Sequence, residues 1–244
     1  MDFTFIIYII FGILPSLAWL FYYLRKDLHP ESKKMILKIF AFGALSTIPV
    51  LVIQLSLTKL LSYTNLPQIY TYIIYWFLII ALTEEIFKYL VIKFKVLNNA
   101  EFDEPVDAMI YMIIAALGFA AVENMIYLWL PVSAQTISFN DTVLRTLFIT
   151  FFRFVGATFL HTLCSATIGY FLALSFREAK NGLRFTILGI LTAVFLHGLF
   201  NFSIMTIGDG WEKVIIPIIL LSIIAVFVMH EFDKLKKLKS ICKL

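Results

Sequence analysis

The chain has 244 residues, 61% of them hydrophobic and only 15% charged, and a formal net charge of +4; its mean hydropathy is +0.92. A soluble domain is about 45–50% apolar and about 25% charged, so the composition excludes a water-soluble globular protein and points to a bilayer. The small positive charge is accounted for by topology and lipid contact and calls for no nucleic-acid partner.

Spanning a bilayer takes roughly 20 apolar residues per helix, because every backbone polar group must be satisfied inside the segment. Seven runs meet that need in chain order, at about 3–24, 36–57, 69–93, 106–130, 144–176, 185–207 and 214–231. The expected fold is therefore all-α: a polytopic helical membrane protein of about seven transmembrane helices, with residues 1–244 forming one integral-membrane domain. The first run has no basic start and no small-residue cleavage site, so it reads as a span and not as a removable signal. The fifth exceeds one bilayer thickness and is expected to tilt or to break near Gly156.

Lysine and arginine orient the set. Arg25, Lys26, Lys33, Lys34 and Lys38 follow the first run, Lys93 and Lys95 the third, and Arg177, Lys180 and Arg184 the fifth; Lys234, Lys236, Lys237, Lys239 and Lys243 close the chain. With seven spans all of these share one side, and the opposite loops hold only Lys59 and Lys213, with Arg145 near a helix end. The positive-inside rule then puts the N-terminus outside and the C-terminus in the cytoplasm. The compact size suits a multi-pass protein of a bacterial or archaeal cell membrane. Cys164, inside a span, and Cys242, in the tail, do not form a disulfide framework.

Ionisable groups within a span are costly to insert, by about 2.5–3.5 kcal/mol each near the centre, and usually face an interior or a wet cavity. Here they are Glu84, Glu85 and Lys88 in the third run, Glu123 with Asn124 in the fourth, Arg153 and His161 in the fifth, and His197 with Asn201 in the sixth. Each has a purely structural reading. Lys88 lies one turn after Glu84 and Glu85 and can pair with them on one helical face; Arg153 can hold two helices together through a carboxylate; Cys164 reads as a small buried residue. Four successive spans with polar groups are more than helix association requires. Chemistry uses the set more fully. A carboxylate beside a like charge in a low-dielectric pocket is a better general base than one in water, which fits Glu84 and Glu85. His197 and Asn201, four residues apart, share a helix face and could together stabilise an oxyanion. Glu123, His161, His197 and one of the paired glutamates are equally the donor types that a zinc ion accepts, and spacing does not choose between these uses. Small residues in "ALGFAA", 116–121, let the fourth span approach its neighbours closely.

The ordered segments "EEIFK" (84–88), "GFAAVEN" (118–124), the histidine of "FLHTLCSATIGY" (159–170) and "HGLFN" (197–201) resemble the PrsW family of intramembrane proteases, which is similar to the CAAX-processing and bacteriocin-processing membrane proteases. The resemblance covers about Thr83 to Asn201 and implies a catalytic core at 83–201. It implies cleavage of a membrane-anchored protein, such as an anti-sigma factor, with Glu84, Glu85, His161, His197 and Asn201 as the catalytic set. Lys88, Asn124 and Arg153 support it, and Glu123, His161 and His197 are the possible metal ligands. No HExxH pair is present, so a metal-free mechanism in which Glu84, assisted by Glu85, activates water is preferred to zinc; Glu123 is then a partner that fixes a histidine tautomer. "DEPVDAMIYM" (103–112) looks like the family's Glu-Pro-x-Asp-Gly loop with Ala108 in the place of glycine and Met112 in that of a small residue, which bears on the loop's backbone geometry. The rival functions are a proton-coupled transporter or channel lined by the same groups, and a non-catalytic membrane scaffold.

Overall fold

The structure, a computed structural model, describes residues 3–26, 29–129, 139–207 and 210–237; Cys242 and the last lysines lie outside them. Helices account for its regular structure, and no strand occurs among the described residues. In chain order they are α1 (Phe3–Leu24), α2 (Lys33–Leu61), α3 (Gln68–Ile73), α4 (Leu82–Lys95), α5 (Asp107–Trp129), α6 (Phe139–Arg153), α7 (Phe159–Arg177), α8 (Gly182–Thr206) and α9 (Glu212–Leu235). Two π segments join pairs of them: Ile74–Ala81 links α3 to α4, and Phe154–Thr158 links α6 to α7.

Six helical stretches among the described residues are long and apolar enough to cross a membrane: α1, α2, α5, the α6–α7 run, α8 and α9. The protein is thus a polytopic helical membrane protein. The remaining apolar run, α3 through α4, is continuous helix from Gln68 to Lys95, divided by its π segment and charged toward its end. The long fifth run is interrupted by π geometry at Phe154–Thr158, which encloses Gly156, the position where its length suggested a break.

The order of packing follows from side-chain size. Helix α5 is buried along most of its length and packs on α1, α2 and α7. It gains that central place through backbone contact: a Cβ on Gly118 would lie 2.0 Å from the Phe40 carbonyl oxygen, and one on Gly43 of α2 would lie 2.1 Å from that of Ala115. With no hydrophobic drive between helices in lipid, such close approach is what holds them together. The outward faces of α1, α2, α8 and α9 carry large exposed apolar side chains, among them Phe21, Leu55, Phe195 and Val226, as a lipid-facing surface requires. Helix α2 starts at the Ser32 cap, whose hydroxyl accepts from the Met35 amide at 3.1 Å.

The two π segments matter most for position. A π turn takes one residue more than an α turn and rotates everything after it. One ends three residues before Glu84, the other three residues before His161.

Candidate active site

Helices α4, α5, α7 and α8 bring together nearly every polar residue expected inside the spans. On α4, Glu84, Glu85 and Lys88 are all buried, and so are His161 on α7 and His197 on α8. Glu85 is the hub: its Oε1 lies 2.7 Å from Lys88 Nζ and 2.8 Å from His197 Nδ1, while Oε2 accepts from Ser165 Oγ at 3.4 Å. Lys88 also donates to His161 Nδ1 at 2.8 Å and stands over the Phe119 ring at 4.8 Å from its centroid. That cation–π contact adds to the carboxylate and imidazole partners of the ammonium.

The hydrogen bonds assign both histidine tautomers. His161 Nδ1 faces the Lys88 ammonium, which has only donors, so Nδ1 accepts and Nε2–H donates to Glu123 Oε2 at 2.8 Å. His197 Nδ1 faces a Glu85 oxygen, so it donates, and its Nε2 lone pair is turned toward Glu84. The two rings meet edge to face, with centroids 5.1 Å apart.

Glu84 is treated differently from its neighbour. Its Oε1 accepts from Gln54 Nε2 of α2 at 3.2 Å. Its Oε2 is buried and has no hydrogen bond; it lies 3.6 Å from Lys88 Nζ and 3.9 Å from both His161 Nδ1 and His197 Nε2. A carboxylate oxygen and an imidazole lone pair therefore face each other in a buried gap with no donor between them. Charge counting leads to the same atom: Glu84, Glu85 and Glu123 face two permanent cations, Lys88 and Arg153. The uncompensated negative charge falls on Glu84, the carboxylate with the longest ion-pair distance.

Behind His161 stands a second group. Glu123 is paired with Arg153 Nη2 at 2.9 Å. Arg153 in turn donates through Nε to Asn124 Oδ1 and lies 3.9 Å from the Tyr127 ring centroid. Asn124 donates to the Gly12 carbonyl at 3.2 Å and to Thr158 Oγ1 at 3.1 Å. This chain fixes Glu123, and through it the ring of His161, against α1 and the π segment.

Metal-ligand distances separate the expected residues. One donor atom each from Glu84, His161 and His197 lies within 4.8 Å of the others. The donors suit zinc by type, the Glu84 Oε2 atom makes no hydrogen bond that would compete for it, and both histidines are backed by carboxylates in the way metal-binding histidines usually are. The group thus fits a divalent ion once Lys88 turns from His161 to its other partner, Glu85. Glu123 stands outside this group; its Oε2 meets His161 Nε2 at 2.8 Å and Arg153 Nη2 at 2.9 Å. Asn201 is half-buried one turn beyond His197, and its side chain makes no hydrogen bond among the described residues.

Three contributors are missing from the sequence reading: Gln54, Ser165 and Phe119. Gln54 is an amide in the middle of an apolar run and carries the same signal as the other intramembrane polar groups. Ser165 lies one turn after His161 and shares its face; Phe119 carries no polar signal at all. Cys164 is buried and forms no disulfide. The "DEPVDAM" loop is a separate structure. Asp107 Oδ2 accepts from the Asp103 and Glu104 amides at 3.0 and 2.7 Å, and Tyr111 bonds Glu31. Ala108 is ordinary helix, since no residue outside glycine has positive φ among the described residues. The room it needs comes from Gly169, where a Cβ would lie 2.6 Å from the Ala108 carbonyl oxygen.

Comparison with known proteins decides the class. The family described as PrsW family intramembrane metalloprotease matches residues 31–230. The chain belongs to this family. It is similar to the Protease PrsW of Oceanobacillus iheyensis, 30% identical over 217 residues that cover 88% of this chain and 91% of the relative. The proteins of the same name from Clostridioides difficile and Bacillus subtilis are 28% and 27% identical over 232 and 208 residues, covering 93% and 84% of this chain and 89% and 86% of the relatives. No solved structure matches. Family membership makes the protein an intramembrane peptidase, and takes the transporter and scaffold readings off the table.

Proposed function

We propose that the protein cleaves a membrane-anchored protein, such as an anti-sigma factor, at a water-filled point between α4, α7 and α8 in a bacterial cell membrane, with its N-terminus outside and C-terminus in the cytoplasm. The observation that carries the chemistry is the buried, unpartnered Glu84 Oε2 facing the lone pair of His197 Nε2 at 3.9 Å. A water there would donate one hydrogen bond to each, which leaves its own lone pair free for a peptide carbonyl. Glu84 takes the proton as the water attacks, and the surplus negative charge of the cluster favours that transfer. Glu85 holds His197 in the required tautomer and holds Lys88 in place; Glu123 does the same for His161. Lys88, with its charge close to the reacting oxygen, and the Asn201 amide, with unused donors, stabilise the tetrahedral oxyanion. The proton on Glu84 then passes to the departing amine.

Zinc, when bound, would be held by Glu84, His161 and His197 and would supply Lewis acidity and a more acidic water. In the metal-free mechanism those residues hold the water itself, because the Lys88 ammonium already stands against His161 and Glu84. The working unit is residues 83–201 within one membrane domain, with Gln54 of α2 added. The deciding experiment is a mass-spectrometric comparison of new protein N-termini in host membranes carrying the wild type or Glu84→Gln at equal abundance. Loss of defined termini in one anchored protein supports the proposal and supplies the substrate; unchanged termini overturn it. Metal analysis runs beside it: stoichiometric zinc in the purified protein, lost in His161→Ala, would replace the metal-free version.

A further inference from the structure

Helix α1 packs on α5 and α6, while α9 packs on α7 and α8. Between α1 and α9 this leaves a cleft of about 340 Å³, floored by Phe159 and Leu163 of α7 and walled by Trp19 on one side and Ala225 and Met229 on the other. Its lining is almost wholly apolar, and Tyr22 and Met229 at its rim are exposed, so it opens outward from the bundle. A smaller pocket continues along the same two helices, past Tyr23 and Phe232, to Lys26 and Asp233. Lys236 stands beside Lys26: its Nζ donates to the Lys26 carbonyl at 3.0 Å. Each lies over an aromatic ring of its own helix, 5.1 Å from the centroid of Tyr22 and Phe232 respectively.

We propose that this cleft is a binding site for an anionic phospholipid, one acyl chain lying in the aromatic channel and the phosphate meeting Lys26 and Lys236. Chemistry argues for the occupant: the channel is walled by aromatic and aliphatic side chains that give a hydrocarbon chain contact along its length. Bilayer hydrocarbon fills such a space because empty apolar volume forfeits dispersion contact on every wall. Charge argues for the headgroup. Both lysines sit at the helix ends where the channel ends, with Arg25 and Lys237 exposed beside them. Asp233, 3.3 Å from Lys236, is the opposing group; it is largely exposed to solvent and shares the lysine without burying it.

The site also touches the machinery for proteolysis without being part of it. Trp19 stacks on Phe159 at 4.4 Å and on Phe154 at 5.4 Å, and its Nε1–H donates to the Phe154 carbonyl at 3.0 Å. Phe154 begins the π segment between Arg153 and His161, so a lipid against Trp19 packs on the element that sets their relative rotation.

The test uses the full-length protein with Trp76, Trp129 and Trp211 changed to Phe, so that Trp19 alone reports. It is reconstituted in phosphatidylcholine vesicles in which bromine-labelled phosphatidylglycerol or bromine-labelled phosphatidylcholine is titrated. Preferential quenching of Trp19 by the anionic lipid is expected. Lys26→Gln and Lys236→Gln should each weaken that preference about fivefold, and Ala225→Phe, which fills the channel, should abolish the quenching with both lysines intact. Equal quenching by the two lipids, or a preference unmoved by the lysine changes, overturns the proposal, as does a photoreactive side chain at Ala18 that captures a polypeptide in place of lipid. The readout is binding alone, so its failure is separate from any failure of the proteolytic reading.

Discussion

Two acidic clusters lie at different places in this bundle and do opposite things with similar residues. Around Asp107, at the start of α5, carboxylates are fully engaged: Asp107 takes two backbone amides, Glu104 meets His29 at 2.7 Å, Glu101 accepts from Ser32 at 2.6 Å, and Glu31 is bonded by Tyr111. Around Glu85, deeper in the bundle, three carboxylates share two permanent cations, and one oxygen of Glu84 is left with no hydrogen bond. The first arrangement closes a loop and ties α5 to the α1–α2 connection. The second leaves a buried carboxylate oxygen without a hydrogen bond, which costs stability and suits the chemistry proposed above. Acidic residues alone do not identify a site; unsatisfied ones do.

The comparison breaks most readily at Glu84. Glu84→Gln is expected to reduce proteolysis by about 10²–10⁴-fold, the usual worth of a general base, while thermal denaturation in detergent shows stability equal to or above wild type, because the surplus charge has gone. Its neighbour should behave in the other way. Glu85→Gln leaves Lys88 buried beside a neutral amide and is expected to cost about 3–5 kcal/mol of stability in addition to activity, read as a fall in the melting transition; a variant as stable as wild type would remove Glu85 from its place as the hub. Glu123→Gln, which releases His161 and leaves Arg153 unpaired, should lower turnover about 10–100-fold, checked with a fluorogenic substrate once the natural cleavage sequence is known. The smallest effect on catalysis belongs to the loop. Asp107→Asn weakens two hydrogen bonds and is expected to cost about 1–3 kcal/mol with turnover per folded molecule unchanged; a loss of turnover at full stability would join the two clusters into one functional unit.

The site was legible in part, and unevenly. Polar residues in apolar runs identified Glu84, Glu85, Lys88, Glu123, Asn124, Arg153, His161, His197 and Asn201, because an ionisable group in hydrocarbon is expensive enough to need a reason. The same rule applied to a neutral amide would have added Gln54. The sequence named Glu84 as the base with Glu85 assisting, but adjacent residues on a helix point about 100° apart, and only the neighbours on α2, α7 and α8 decide which one is satisfied. Glu123 shows the same limit: its residue type suits a ligand or a partner of His161, and only the packing shows that it meets both His161 and Arg153.

Composition and hydropathy by themselves determined that this chain is a bundle of membrane helices, because a backbone in lipid has so few ways to satisfy its own hydrogen bonds. They determined roughly where those helices run and that several carry groups with no business in hydrocarbon. Only the tertiary structure decided which groups meet. The two π segments rotate α4 and α7 relative to what precedes them, and glycine contacts bring α2 within backbone distance of α5. Those are facts of local winding and of close packing between distant parts of the chain, and neither leaves a periodic signature in the order of residues.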